Sequence, residues 1–301
     1  METNAMWPRI RSKLPVALFL VGLCPGQALA CAAYDAVVAA VEADDRAEVT
    51  RLYDVLGADE SCDAAIRDWA GVYLARQHLR EGLDAERAPE ARRAALQAAL
   101  SLETHWRTLS ELGRLEWAEK NYPGAAALLR RALTEIAEGN QDHEAKPADI
   151  TALRTLYTDS LALSGETLAS ADAASELFRT SYRGFKVEET PLPITFHYDS
   201  TEFDAQGRRY AQQLRDHLLT HNPPRIELDG HTDPRGGETY NLELSVARAE
   251  AVRRFVTEGG YDGEIAVRGF GESKVPPPPE GVVAGSEEHH RIARRVVFRG
   301  S

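Results

Sequence analysis

Between residues 32 and 185, apolar positions recur every three to four residues in a background rich in Ala, Leu, Glu and Arg. That period predicts helices. Breaks at Gly57-Ala58-Asp59, Gly82, Ala88-Pro89, Asn121-Tyr122-Pro123 and Gly139-Asn140 divide the stretch into roughly eight helices, arranged as antiparallel pairs. The character changes at Thr190-Pro191-Leu192-Pro193, because proline cannot continue a helix and forces extended geometry on the residue before it. Beyond it, strands are predicted over 194–198, 225–230, 264–270 and 294–298, and helices over 204–220 and 241–258. The order β-α-β-α-β-β predicts an α+β domain with helices on one face of a sheet. An α-helical domain over 31–186 is thus followed by an α+β domain over 187–301.

One helical pair has a telling spacing. Leu109, Leu112 and Gly113 fall on its first helix, and Ala125, Leu129, Ala132 and Leu133 on its second. Small residues at Gly113, Ala125 and Ala132 permit close approach of the two helices. This resembles a tetratricopeptide repeat. A weaker echo runs through Leu161, Ala162, Ala174, Phe178, Ser181 and Tyr182. The pattern departs at Glu116, where the family has an aromatic, and in the long loop over 139–149. Other stacks of helical hairpins fit the same pattern. The resemblance implies a groove for a protein partner.

The N-terminus reads as an export signal over 1–30. Arg9, Arg11 and Lys13 precede an apolar run from Leu14 to Cys24, and Ala28-Leu29-Ala30 supplies the small residues of a cleavage site. The run is far shorter than the ~20 residues that a membrane span needs. Export places Cys31 and Cys62 in an oxidising compartment, where they are expected to pair. The competing reading is that Cys31 is the lipidated first residue of an outer-membrane lipoprotein. Ala28-Leu29-Ala30 departs from the usual pattern before such a cysteine. A formal charge of −12 argues against nucleic acid and anionic lipid as partners, since both demand clustered Lys and Arg.

The candidate chemistry lies in Gly230-His231-Thr232-Asp233 and the helix that follows. Asn241 is a suitable N-cap for that helix. At about 100° per residue, Leu244, Ala251, Val252, Phe255 and Val256 share an apolar face, with Glu243, Glu250 and Arg254 opposite. Arg248 falls within the apolar face, where a guanidinium is costly without an anionic partner. Asp233 ends the preceding strand and leads into Pro234-Arg235-Gly236-Gly237. Spacing alone leaves two readings open. Asp233 and Arg248 form an internal salt bridge, or they flank a cleft for a zwitterion, the acid taking an ammonium and the arginine a carboxylate.

The region 194–298 resembles the OmpA-like domain family. The resemblance rests on Phe196, Asp199-Ser200, Gly230-His231-Thr232-Asp233, Asn241, Leu244-Ser245, Arg248-Ala249, Val252, Gly269-Phe270-Gly271-Glu272 and Arg294-Arg295-Val296. It implies non-covalent, non-catalytic binding of the diaminopimelate in peptidoglycan stem peptides. Asp233 and Arg248 would carry that binding, with Asn241, Thr232 and Arg295 around them. It further implies a periplasmic protein of a Gram-negative envelope, near the wall or outer membrane, that needs no cofactor. Ala293 stands where the family has an asparagine.

Ser200, His231 and Asp233 are the residue types of a nucleophilic triad, but Ser200 lacks the glycine-flanked elbow that exposes such a serine. A wall-remodelling enzyme with its active site in the helical half is the alternative function, although no nucleophile–base pair stands out there. His289-His290 has no spaced carboxylate or cysteine cluster to make a metal site.

Overall fold

The computed structural model describes residues 33–58, 62–138, 145–165, 176–179, 181–182, 184–197 and 199–300. The expected signal peptide and Cys31 lie outside the described residues, as does Ala174. The chain divides into two compact units, 1–77 and 78–301. In the first, α1 (Tyr34–Glu42) and α2 (Arg46–Ala58) form a hairpin that buries Val37, Val41, Val49 and Leu52. The turn between them has Asp44 in the left-handed region, and its carboxylate accepts from Tyr73 at 2.7 Å. That turn carries neither Gly nor Pro, so the break is not visible in composition. Helix α3 spans Ala64–Leu83.

The second unit contains α4 (Pro89–Leu102), α5 (Trp106–Ala118), α6 (Tyr122–Glu138) and α7 (Pro147–Ser164). Helices α5 and α6 are the expected close pair. Leu109, Ala125, Leu129, Ala132 and Leu133 are fully buried, and a Cβ on Gly113 would come within 3.0 Å of the Leu129 side chain. Seven helices of the described residues, α1 to α7, precede the sheet region, and Glu176 and Leu177 beyond them are helical as well.

Two expectations for the segment after α7 need correction. Ser181 and Tyr182 are not helical. They form β1 (Ser181–Tyr182), which pairs antiparallel with β2 (Phe185–Lys186) around Gly184, whose φ is +88°. The Tyr182 hydroxyl accepts from the buried Arg154 guanidinium at 2.9 Å, which ties the ribbon to α7. The first strand of the main sheet is β3 (Thr190–Leu192), inside the Pro-rich segment where the helical pattern ends, and not 194–198. Pro191 is tolerated because β3 is the edge of a sheet ordered β3-β6-β4-β5. Residue Phe196 makes only an isolated bridge to Phe203.

The rest of the C-terminal domain follows closely: α8 (Ala205–His221), β4 (Arg225–Gly230), α9 (Glu238–Glu258), β5 (Glu264–Gly269), α10 (Glu287–Ala293) and β6 (Val296–Gly300). The short α10 was not anticipated. Strands β4 and β5 are parallel, joined through α9, and β6 lies antiparallel to β4. Asp204 caps α8, accepting from the Gly207 amide at 2.7 Å.

Helices α5 to α7 share one compact unit with this sheet. Trp117 Nε1 donates to the Glu280 carbonyl at 2.8 Å, docking the Pro-rich loop on α5. Gln206 donates to the Leu161 carbonyl at 3.0 Å, and Lys120 meets Glu288 at 2.9 Å. No described helix is long and apolar enough to cross a membrane.

Candidate functional site

The site is positioned by two glycines. Gly230 and Gly269 are register partners at the ends of β4 and β5. A Cβ on Gly230 would lie 2.0 Å from the Ser245 carbonyl oxygen, and one on Gly269 would lie 2.5 Å from Ser245 Oγ. Only hydrogen at both positions lets α9 close on the strand ends. Ser245 Oγ then accepts the Gly271 amide at 2.9 Å, while the Thr232 amide donates to the Gly271 carbonyl at 2.9 Å. These contacts bring the 231–237 loop and α9 together.

Arg248 is 5% exposed. Its guanidinium lies over the Phe196 ring, 5.1 Å from the centroid, and its Nε donates to the Ser200 carbonyl at 3.2 Å. It makes no ion pair among the described residues. Burial pushes its pKa down to about 10, Arg294 adds to the fall, and Asp233 and Asp199 oppose it. The group is therefore cationic at neutral pH, buried, and without a bonded counter-ion.

Asp233 is equally buried but fully engaged. Arg235 donates to Oδ1 through Nε at 3.0 Å and to Oδ2 through Nη2 at 2.9 Å, and the Arg235 amide adds a third bond to Oδ1 at 3.0 Å. Arg294 Nη1 reaches Oδ2 at 2.7 Å. Burial alone would raise the Asp233 pKa, but hydrogen bonds from Arg235 and Arg294 outweigh it and hold the carboxyl well below the usual carboxylate range. Both arginines also bond Glu287. The internal salt bridge of Asp233 is thus with Arg235 and Arg294 rather than with Arg248.

The other expected residues divide. Asn241 is 2% exposed, but it is not an N-cap. Helix α9 begins at Glu238, with Gly237 at the cap position, and Asn241 Nδ2 instead donates to the Arg235 carbonyl at 3.2 Å and to Glu272 at 2.5 Å. It holds the loop against α9. Thr232 is buried, and its hydroxyl has no hydrogen-bond partner among the described residues. Arg295 accepts the His231 amide at its backbone carbonyl, at 3.0 Å. It donates to the Ile292 carbonyl at 3.4 Å, and the acids that act on it are Asp159 and Glu189. Neighbouring side chains in extended backbone point to opposite faces, so only one of Arg294 and Arg295 can reach Asp233. It is Arg294. Nothing in the sequence marks Arg235, Arg294 and Glu287 as one group. Their residue types were visible, but only the fold brings α10 beside the 231–237 loop.

Two set-aside candidates have structural roles. His289 accepts the Gly285 amide at 3.0 Å through Nδ1, and its Nε2 faces the Pro276 carbonyl at 2.8 Å, so both ring nitrogens are engaged. His231 stacks on Phe270. Burial, reinforced by Arg295 and opposed by Asp229, pushes its pKa from 6.5 down to about 4. The folded protein therefore resists protonation that the unfolded chain accepts, and this contribution to stability is lost as pH falls from 6.5 toward 4. The whole interval corresponds to about 3 kcal/mol. A His231→Leu variant is expected to lose less unfolding free energy than the wild type between pH 7 and pH 4.5 in denaturant titrations. Equal losses would refute this.

A hollow of about 300 Å³ beside β4 and β6 is lined by Arg225, Glu227 and Arg299 among others. Its two arginines already have partners: Arg225 pairs with Glu264 and Arg299 with Glu189.

The α+β domain thus holds a buried arginine that has no counter-ion among the described residues, and a carboxylate paired with two other arginines. Residues 195–279 match the sequence model of the OmpA family, and this region of the chain is an OmpA-family domain. The chain is similar to outer-membrane lipoprotein YfiB of Pseudomonas aeruginosa, 34% identical over 101 residues, which is 33% of this chain and 60% of that protein. It is likewise similar to the peptidoglycan-associated lipoprotein of Pseudomonas putida, 34% identical over 80 residues, covering 26% of this chain and 48% of the relative. The chain thus spans about half the length of these relatives. Among solved structures, the peptidoglycan-associated lipoprotein of Burkholderia pseudomallei is 28% identical, with a TM-score of 0.30, over 38% of this chain and 89% of that one.

Proposed function

We propose that the chain is a non-catalytic envelope protein whose OmpA-family domain binds peptidoglycan through the diaminopimelate of the stem peptide. One observation carries this reading: Arg248 is a buried guanidinium with no carboxylate bonded to it among the described residues. Such a group is costly unless a ligand supplies the anion. Arg248 would take the free carboxylate of diaminopimelate through two parallel hydrogen bonds, and Asp233 would face its ammonium. Thr232 offers a hydroxyl that has no partner among the described residues, and Asn241 holds the loop. The names of the similar lipoproteins support a cell-wall ligand. In the same reading, the α5–α6 hairpin belongs to a tetratricopeptide-like array that recruits a protein partner in the periplasm. Cys31 and Cys62 pair, and mass spectrometry of the mature N-terminus distinguishes that pairing from a lipidated Cys31.

The test is co-sedimentation with purified sacculi. Retention is expected on diaminopimelate-type walls and should drop sharply on lysine-type walls, whose stem residue lacks the second carboxylate. Equal retention on both would contradict the proposal.

A further inference from the structure

Asp233 is expected to receive an ammonium, yet its seat is taken. The Arg235 guanidinium covers both carboxylate oxygens, at 3.0 and 2.9 Å. It is held from the chain's own surface: its side chain is 49% exposed, against 9% for that of Asp233. Its backbone lies between Pro234 and Gly236, whose φ is +111°. The same guanidinium has a second mooring, since Nη1 donates to Glu287 Oε2 at 3.0 Å. A move off Asp233 would therefore leave Arg235 ion-paired. Arg294 would still hold one side of Oδ2 at 2.7 Å, keeping the carboxylate in place and ionised. What opens is Oδ1, where the remaining protein donor is the Arg235 amide.

We propose that Arg235 is a built-in competitor for the ligand's ammonium: it occupies Asp233 when the cleft is empty and swings to Glu287 when diaminopimelate binds. The inference rests on the peptidoglycan reading of the cleft and adds a regulatory residue to it. It makes affinity depend on an intramolecular exchange of one cation for another. Ligands without an ammonium cannot displace Arg235 and bind through Arg248 alone.

Arg235→Ala tests this, because alanine preserves the two backbone contacts of residue 235, its amide to Asp233 and its carbonyl to Asn241. The full chain is titrated by calorimetry with the soluble tripeptide L-Ala-D-Glu-meso-diaminopimelate, and with the same peptide N-acetylated on the side-chain amine. Arg235→Ala is expected to bind the free amine on the order of tenfold tighter than wild type, as for a site whose competent form is about a tenth of the population. The gain should vanish with the acetylated peptide. If Arg235→Ala binds the free amine no better than wild type, while Arg248→Met binds it much more weakly than wild type, the competitor role is overturned and the peptidoglycan reading stands. If neither wild type nor Arg235→Ala binds the peptide, both fall.

Discussion

Replacing Arg248 with methionine is expected to weaken binding of diaminopimelate-containing peptide by ~2–5 kcal/mol without lowering the unfolding free energy. The binding loss follows from removing one partner of a desolvated charge pair. The second half of the expectation comes from the folded protein alone. Arg248 is buried against Phe196, and its polar contact is a 3.2 Å bond to the Ser200 carbonyl. Without a counter-ion, that guanidinium costs folding free energy, and methionine keeps its packing on the ring. Such a trade of stability for binding is usual where a site keeps an uncompensated charge. Calorimetric titration and a denaturant melt on the same sample check both halves. Lost stability together with retained binding would show Arg248 to be a structural residue.

Gly230→Ala is expected to have the largest effect on stability. The new methyl would sit 2.0 Å from the Ser245 carbonyl oxygen and 2.8 Å from its carbon. Both are backbone atoms of α9, so no side-chain rotation relieves the clash. Either α9 lifts off β4 or the strand end shifts, and overpacking of this kind costs ~3 kcal/mol or more. For a unit of this size, the melting temperature should fall by about 6–12 °C. Gly237→Ser provides the control. A Cβ there meets nothing within 4 Å, and serine is a good N-cap for α9, so its stability should stay within ~0.5 kcal/mol of wild type. Equal melting of the two variants would remove the argument for how the cleft is assembled.

Much of this fold is legible in the chain, for identifiable reasons. Strand β4 occupies the expected residues, because alternating apolar and charged positions between Pro224 and Gly230 leave one register. Helices α5 and α6 are legible because Gly113, Ala125 and Ala132 announce a close approach. The edge strand β3 is not, since a strand containing Pro191 is allowed only at an edge, and edge position is a property of the finished sheet. The short helix α10 was hidden because seven residues carry too little periodicity. Glu287, the second mooring of Arg235, lies on that helix. Arg248 was conspicuous as a charge on an apolar face, whereas the pairing of Asp233 was not. Arg235 is two residues away and Arg294 sixty-one, and only the folded chain shows both guanidiniums on one carboxylate. Arg294 and Arg295 differ by parity, since one step along extended backbone reverses the face.

The central claim is that Arg248 waits for a ligand carboxylate. The most direct measurement is a titration cycle pairing wild type and Arg248→Met with the diaminopimelate tripeptide and with its analogue amidated at the diaminopimelate carboxylate that adjoins the free side-chain amine. Amidation should cost the wild type as much affinity as the mutation does, and it should cost Arg248→Met almost nothing further. Additive losses, or an amidated peptide that binds the wild type as tightly as the free acid, would contradict the claim.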